Sequence, residues 1–147
     1  MKILIKNLQR RRRLNKAKII RSVGKILSLL AQPDAELSIL FIGDRRMLRL
    51  NAAYRGKLKS TDVLSFEADI PFRERDQPPV LGDIVISVPK AESQAEKAGA
   101  TFYDEVNRLL IHGTLHLLKH DHEGSVYKAR LMRKKEKEIF NALKKVV

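Results

Sequence analysis

Residues 39–42, Ile-Leu-Phe-Ile, are the sequence feature that most limits how this chain can fold. Successive side chains of an extended segment point to opposite faces of a sheet, so four adjacent apolar residues indicate a strand buried on both faces. Such a strand belongs in a sheet that helices cover. We therefore predict a buried strand at Glu36–Ile42.

The periodicity of the apolar residues indicates three further strands and about five helices. The other predicted strands are Lys2–Asn7, 61–68 and 81–88. The predicted helices are 14–31, 44–54, 89–98, 102–118 and a last helix after Ser125. Residues 69–79 form a proline-rich loop, either a plain hairpin connection or a mobile loop at a substrate site. The order predicts an α+β fold, a small mixed four-stranded sheet covered by about five helices.

Individual residues mark the boundaries of these helices. Asp44 is a candidate N-cap of the second helix and Ser125 of the last one. Pro89 fits the first position of the third helix, and Gly99 fits its end. The first helix is predicted to bury one apolar stripe, formed by Ile20, Val23, Leu27 and Leu30.

The chain has 147 residues, 44% of them hydrophobic and 32% charged, as expected for a soluble globular protein. It contains no internal repeat or linker, so we predict a single domain spanning residues 1–147. No window approaches the roughly 18 consecutive apolar residues of a transmembrane helix. The basic N-terminus is interpreted as mature structure of a cytoplasmic protein rather than as a targeting segment.

Basic charge is concentrated at the two ends of the chain. Ten basic residues precede the first acidic residue, Asp34, and residues 128–147 contain eight basic and two acidic residues. The middle of the chain has 12 basic and 15 acidic residues. This segregation favours a polyanionic partner, with nucleic acid ahead of a membrane. The alternative is a solvated Lys/Glu-rich surface, although that does not explain the adjacent Arg10, Arg11, Arg12 and Arg13.

All four histidines lie between positions 112 and 122, and the chain has no cysteine, so a metal would be held by imidazole. His112 and His116 are four residues apart on one helical face and can reach the same ion. His120 is about 12 Å from His112 along a straight helix. The third ligand must therefore follow a turn of the chain, which favours His122 and leaves His120 as the alternative.

The residue after His112 is Gly113, whereas a zinc protease of the zincin type has a glutamate there as its general base. This difference argues against a protease. Asp83 and Asp121 could orient a ligand histidine or serve only as strand-end and turn residues.

The motif from His112 to His122, His-Gly-Thr-Leu-His-Leu-Leu-Lys-His-Asp-His, resembles the signature of the YbeY family of bacterial endoribonucleases, also described as ribosomal RNA maturation factors. The chain departs from that signature at Lys119-His120, where the family has Gly-Tyr. Two more segments match in the family's order: Leu50-Asn51 with Tyr54-Arg55-Gly56-Lys57 and Thr61-Asp62-Val63-Leu64-Ser65-Phe66, and Leu81-Gly82-Asp83-Ile84.

The resemblance implies an α+β fold and a zinc-like ion, Zn²⁺ or another divalent transition metal, held by His112, His116 and His122. It implies Arg55 as the functional arginine. The implied activity is cleavage of single-stranded RNA in maturation of the 3′ end of small-subunit ribosomal RNA and in ribosome quality control. The implied partners are ribosomal RNA and the ribosome or its proteins.

From these residues we hypothesise metal-assisted phosphodiester hydrolysis, with Arg55 clamping the phosphate and Lys57 adding positive charge. Arg10, Arg11, Arg12 and Arg13 are predicted to hold RNA electrostatically. Water and the ribose 2′-OH are both possible nucleophiles. The alternative functions are a non-catalytic RNA- or ribosome-binding protein with a structural metal, and a metal hydrolase of another substrate.

Overall fold

A computed structural model describes residues 1–69, 76–118 and 125–146 of the chain. The elements occur in the predicted order, and the predicted α+β fold is confirmed. They are β1 (Lys2–Asn7), α1 (Lys16–Leu29), β2 (Glu36–Ile42), α2 (Asp44–Arg55), β3 (Val63–Glu67), β4 (Val80–Ser87), α3 (Val88–Ala98), α4 (Phe102–Leu117) and α5 (Val126–Val146). Residues 70–75 of the predicted 69–79 loop lie outside the described residues.

The four strands form one mixed sheet in the order β1-β2-β4-β3. β1, β2 and β4 are parallel, and β3 is an edge strand that runs antiparallel to β4. β2 is internal, as the apolar run predicts. Ile39 and Phe41 belong to the large core on one face, whereas Leu40 and Ile42 belong to a smaller cluster on the other.

Helices cover the two faces of the sheet unequally. The large core joins one face to buried residues of α1, α3, α4 and α5. On the other face, Met47 of α2 packs with Ile42, Leu64 and Val85. α2 and α4 are therefore on opposite sides of the sheet. None of the helices within the described residues is long and apolar enough to cross a membrane.

Side-chain caps begin most of the helices where polar residues precede the apolar periodicity. The hydroxyl of Ser125 accepts a hydrogen bond from the Lys128 amide at 2.9 Å, which confirms the predicted cap of α5. α3 ends at Gly99, whose φ of 65° is left-handed, also as predicted. These caps satisfy backbone groups that a helix end leaves without partners.

Two local predictions were wrong. Gly43, not Asp44, is the N-cap of α2; Asp44 is already helical, and its carboxylate accepts hydrogen bonds from Ser60 and Ser87 instead. In α1, Ile20 is 40% exposed. Ile19 is buried instead, because the face of α1 that packs against the core includes position 19 rather than position 20. The buried residues of α1 are Ile19, Val23, Ile26 and Leu27.

Candidate active site

His112 and His116 project from α4 one helical turn apart and converge. Their Nε2 atoms are 3.0 Å apart, and the ring centroids are separated by 4.5 Å. α4 is a rigid platform for them because its N-terminus is capped by the Thr101 hydroxyl, which accepts a hydrogen bond from the Asp104 amide. Buried residues of α4 also belong to the large core. The two imidazoles are thus preorganised side by side.

Gly113 lets the histidine-bearing part of α4 lie directly on the sheet. A Cβ at this position would be 3.0 Å from the Ser65 Oγ and 3.1 Å from two side-chain atoms of Ile84. The Ser65 hydroxyl also donates a hydrogen bond to the Gly113 carbonyl at 3.2 Å. Gly113 therefore has a structural role of its own: its lack of a side chain allows the close approach of α4 to β3 and so sets the distance between the histidines and β3.

Glu136 of α5 orients His112. One of its carboxylate oxygens is 2.6 Å from the His112 Nδ1. A carboxylate in this position makes Nδ1 the protonated nitrogen, so that Nε2 carries the lone pair a metal ligand requires. Sequence reasoning counted Glu136 only as a charge. Its spacing was the available signal, because it lies on the apolar stripe of α5 with Met132, Ile139 and Leu143.

The described residues supply two of the three ligands that a shared metal ion would need. Two bonds of about 2.0–2.1 Å to one zinc ion span at most about 4 Å, so nitrogens 3.0 Å apart can share an ion. Within residues 1–69, 76–118 and 125–146, no group of three His, Cys, Asp or Glu side chains could hold a metal. The predicted third ligand His122, its alternative His120 and the neighbouring Asp121 lie outside the described residues.

Arg108 lies one turn before His112 and is the centre of a polar network. Its guanidinium donates to both carboxylate oxygens of the buried Glu105, with two of the contacts at 2.7 Å. That hydrogen bonding raises the pKa of Arg108; burial opposes the shift, and the negative charge of Glu105, Asp62 and Glu136 adds to it. Gln94 donates to Glu105 at 2.8 Å. Arg108 is therefore held in place one helical turn before His112, with its charge paired to carboxylates.

α2, which ends at Arg55, covers the opposite face of the sheet from α4, which carries His112 and His116. Arg55 is exposed at the C-terminal end of α2, and Lys57 is exposed just after it. Arg55 forms no hydrogen bond or ion pair among the described residues. The buried Asn51 holds this turn by donating from Nδ2 to the Lys59 carbonyl at 2.8 Å. The edge strand β3 contacts both helices, through its Phe66 with Tyr54 of α2 and through its Ser65 with Gly113 of α4.

Asp83 is separated from His112 and His116 by the sheet. It is exposed and alternates with the buried Ile84 along β4, so it lies on the face that α2 covers. Asp83 therefore does not orient His112 or His116, and it occupies a strand position.

The four adjacent arginines do not form a uniform basic surface. Arg11 donates a hydrogen bond to Glu92 of α3, and Arg12 donates to the other carboxylate oxygen at 3.1 Å. The Arg12 guanidinium also lies 4.1 Å from the centre of the Phe102 ring. Arg10 and Arg13 are exposed. Half of the predicted RNA-binding run is thus engaged within the protein.

Comparison with known proteins agrees with this architecture. The family model described as endoribonuclease YbeY matches residues 4–144, nearly the whole chain. The chain belongs to the YbeY family of endoribonucleases. Among its YbeY relatives, the endoribonuclease YbeY of Geobacter sulfurreducens is 40% identical over 144 residues, which covers 97% of this chain and 96% of the relative. That of Thermodesulfovibrio yellowstonii is 39% identical over 154 residues, with 94% of each chain covered.

A solved structure shows the same fold. The solution structure of TM1509 from Thermotoga maritima superposes with a TM-score of 0.63 at 25% identity, over 96% of this chain and 88% of that one. The YbeY fold therefore accounts for the sheet and for the helices that bring His112, His116 and Glu136 together.

Proposed function

We propose that this protein is a metal-dependent endoribonuclease that cleaves single-stranded RNA. The observation that carries the proposal is the convergence of His112 and His116, with Nε2 atoms 3.0 Å apart and Glu136 behind His112, in a chain of the YbeY family. Its substrate is ribosomal RNA, which it cleaves in the cytoplasm to mature the 3′ end of the small-subunit RNA. The same activity serves ribosome quality control.

The ion would be held by His112, His116 and His122, and three imidazoles suit zinc or another divalent transition metal. A bound ion would supply Lewis-acid chemistry there, by polarising a phosphoryl oxygen or lowering the pKa of a water. The protein's part is preorganisation. Glu136 fixes the ring of His112, and Gly113 fixes the position of α4 against β3.

Arg55 binds the phosphate of the substrate in this proposal. Its exposed guanidinium can donate two parallel hydrogen bonds to phosphate oxygens, and these strengthen as negative charge develops. The RNA strand would cross the β3 edge to reach both Arg55 and the histidines. Lys57 adds a positive charge on the same path, and Asn51 keeps the connecting turn in place.

The test compares cleavage of single-stranded RNA by the wild type, His116→Ala, Arg55→Ala and Arg49→Ala, each with and without a chelator. Arg49 is an exposed arginine of the same helix and serves as the matched control. We expect chelation and His116→Ala to abolish cleavage, Arg55→Ala to slow it by about 10²-fold, and Arg49→Ala to match the wild type.

Three outcomes would contradict the proposal. Cleavage that survives both His116→Ala and chelation would identify a contaminating ribonuclease. RNA binding without cleavage in every preparation would indicate a binding protein with a structural metal. A wild type that does not cleave RNA but shows metal-dependent hydrolysis of another phosphoester or an amide would indicate a different hydrolase. A 2′,3′-cyclic phosphate on the product would identify the 2′-OH as the nucleophile.

A further inference from the structure

The two basic ends of the chain meet in one groove. It lies between α1, the beginning of α4 and the end of α5, and has a volume of about 680 Å³. Residues distant in sequence supply its positive charge: Lys18, Arg21, Lys25 and Lys144. We refer to it as the α1–α5 groove.

The charge of the α1–α5 groove is not neutralised internally. Asp104 is the one acidic residue among the described lining residues, and Lys144 already lies 3.7 Å from it. Arg21 and Lys25 form no ion pair within the described residues. By contrast, Glu92 pairs with Arg11 and Arg12 of the arginine run. The groove therefore offers positive charge to a ligand, whereas half of that run is paired within the protein.

Aromatic rings line the groove beside these cations. The Lys18 ammonium lies 4.7 Å from the centre of the Tyr103 ring, and the Lys144 ammonium lies 5.0 Å from that of Phe140. Contacts of this kind keep cations over the rings and facing the groove. A combination of basic side chains with aromatic rings suits a single-stranded nucleic acid better than a small inorganic anion.

The α1–α5 groove and the histidines share the same pair of helices. α4 and α5 run antiparallel, since Glu136 contacts His112 near one end and Lys144 contacts Asp104 near the other. Asp104 precedes His112 by eight residues, which is about 12 Å along a helix. A strand bound at the histidines can therefore extend to the groove.

We propose that the α1–α5 groove binds the sugar–phosphate backbone of the same RNA strand that is cleaved at the histidines. This inference rests on the proposed function. Arg21 and Lys25 contact phosphates away from the scissile one, and so determine affinity for long substrates without entering the chemistry. The groove accordingly acts only on an RNA long enough to reach it.

The test uses Arg21→Gln/Lys25→Gln and a control that loses the same charge, Arg45→Gln/Arg49→Gln on exposed positions of α2. Metal-loaded proteins are assayed with single-stranded RNAs of about 16 and about 4 nucleotides. We expect the groove variant to raise KM for the long RNA about tenfold at unchanged kcat, and to leave the short RNA unaffected. The salt dependence of log KM should flatten by about 1.4, because two phosphate contacts are lost.

Direct binding of the long RNA, measured by fluorescence anisotropy, separates this inference from the proposed function. Suppose that the wild type cleaves neither RNA while the groove variant binds the long RNA more weakly than the control does. That result would support RNA binding by the groove and contradict the nuclease proposal. If the groove variant has the KM, affinity and salt slope of the control, the groove proposal is overturned and an acidic protein segment becomes the candidate ligand. If the wild type binds no RNA, both fail.

Discussion

Glu136, on the basic helix α5, contacts a candidate metal ligand on α4. Its carboxylate lies 2.6 Å from the His112 Nδ1, whereas Glu138, two residues later on the same helix, is exposed. We expect Glu136→Gln to lower zinc affinity by about 10–100-fold, because His112 loses its orienting carboxylate. Glu138→Gln should leave the affinity unchanged. Competition with a chromophoric chelator measures both, and equal affinities would show that Glu136 does not support a metal ligand.

Asn51 is a second residue whose role depends on burial. Its side chain is 2% exposed and donates to the Lys59 carbonyl. Asn51→Ala leaves that carbonyl without its partner, so we expect a loss of about 1–3 kcal/mol in the free energy of unfolding. Asn141→Ala, at an exposed position of α5, is the control. Urea denaturation gives both values, and equal small losses would mean that Asn51 does not hold the turn after Arg55.

At the scale of elements, the pairing of β3 with β4 depends on Gly82. Its φ is 138°, and a Cβ there would lie 2.0 Å from the Phe66 carbonyl oxygen of the neighbouring strand. We expect Gly82→Ala to destabilise the fold by more than about 4 kcal/mol, because backbone atoms must separate. Gly99 also has a positive φ, 65°, but open space around it, so Gly99→Ala should cost only about 1 kcal/mol. Equal losses in urea denaturation would argue that the strands adjust.

Helix-scale predictions succeeded where one local signal decided the outcome. α5 begins at the Ser125 cap and α3 ends at Gly99, both as predicted, since capping depends on neighbouring backbone groups. The buried stripe of α1 was misplaced by one position, because Ile19 and Ile20 are equally apolar and only contact with the sheet distinguishes them. Aspartate commonly serves as an N-cap, but Asp44 is already helical and its carboxylate accepts hydrogen bonds from the hydroxyls of Ser60 and Ser87.

At the level of the whole molecule, Glu92 of α3 forms ion pairs with Arg11 and Arg12 and so joins α3 to the segment before α1. Burial would raise the pKa of Glu92, but hydrogen bonds and charge from Arg11 and Arg12 outweigh burial and lower it from its ordinary 4.5. A depressed pKa stabilises the folded state above the unfolded-state value, and this contribution is lost as pH falls through the folded-state value. We expect the stability difference between the wild type and Glu92→Gln to shrink below about pH 4.5. Thermal unfolding across pH 3–7 measures it; a constant difference would contradict the pairing.

Local periodicity in the sequence was enough to predict the order of elements, the burial of β2 and the shared face of His112 and His116. The sequence motifs also indicated the YbeY family, which the comparisons confirmed. Which distant groups meet depends instead on how the helices and the sheet pack together. This packing brought Glu136 to His112, placed α2 and α4 on opposite faces of the sheet, paired Arg11 and Arg12 with Glu92, and joined the two basic ends in the α1–α5 groove. Such contacts follow from helix packing across many residues, which no local pattern encodes.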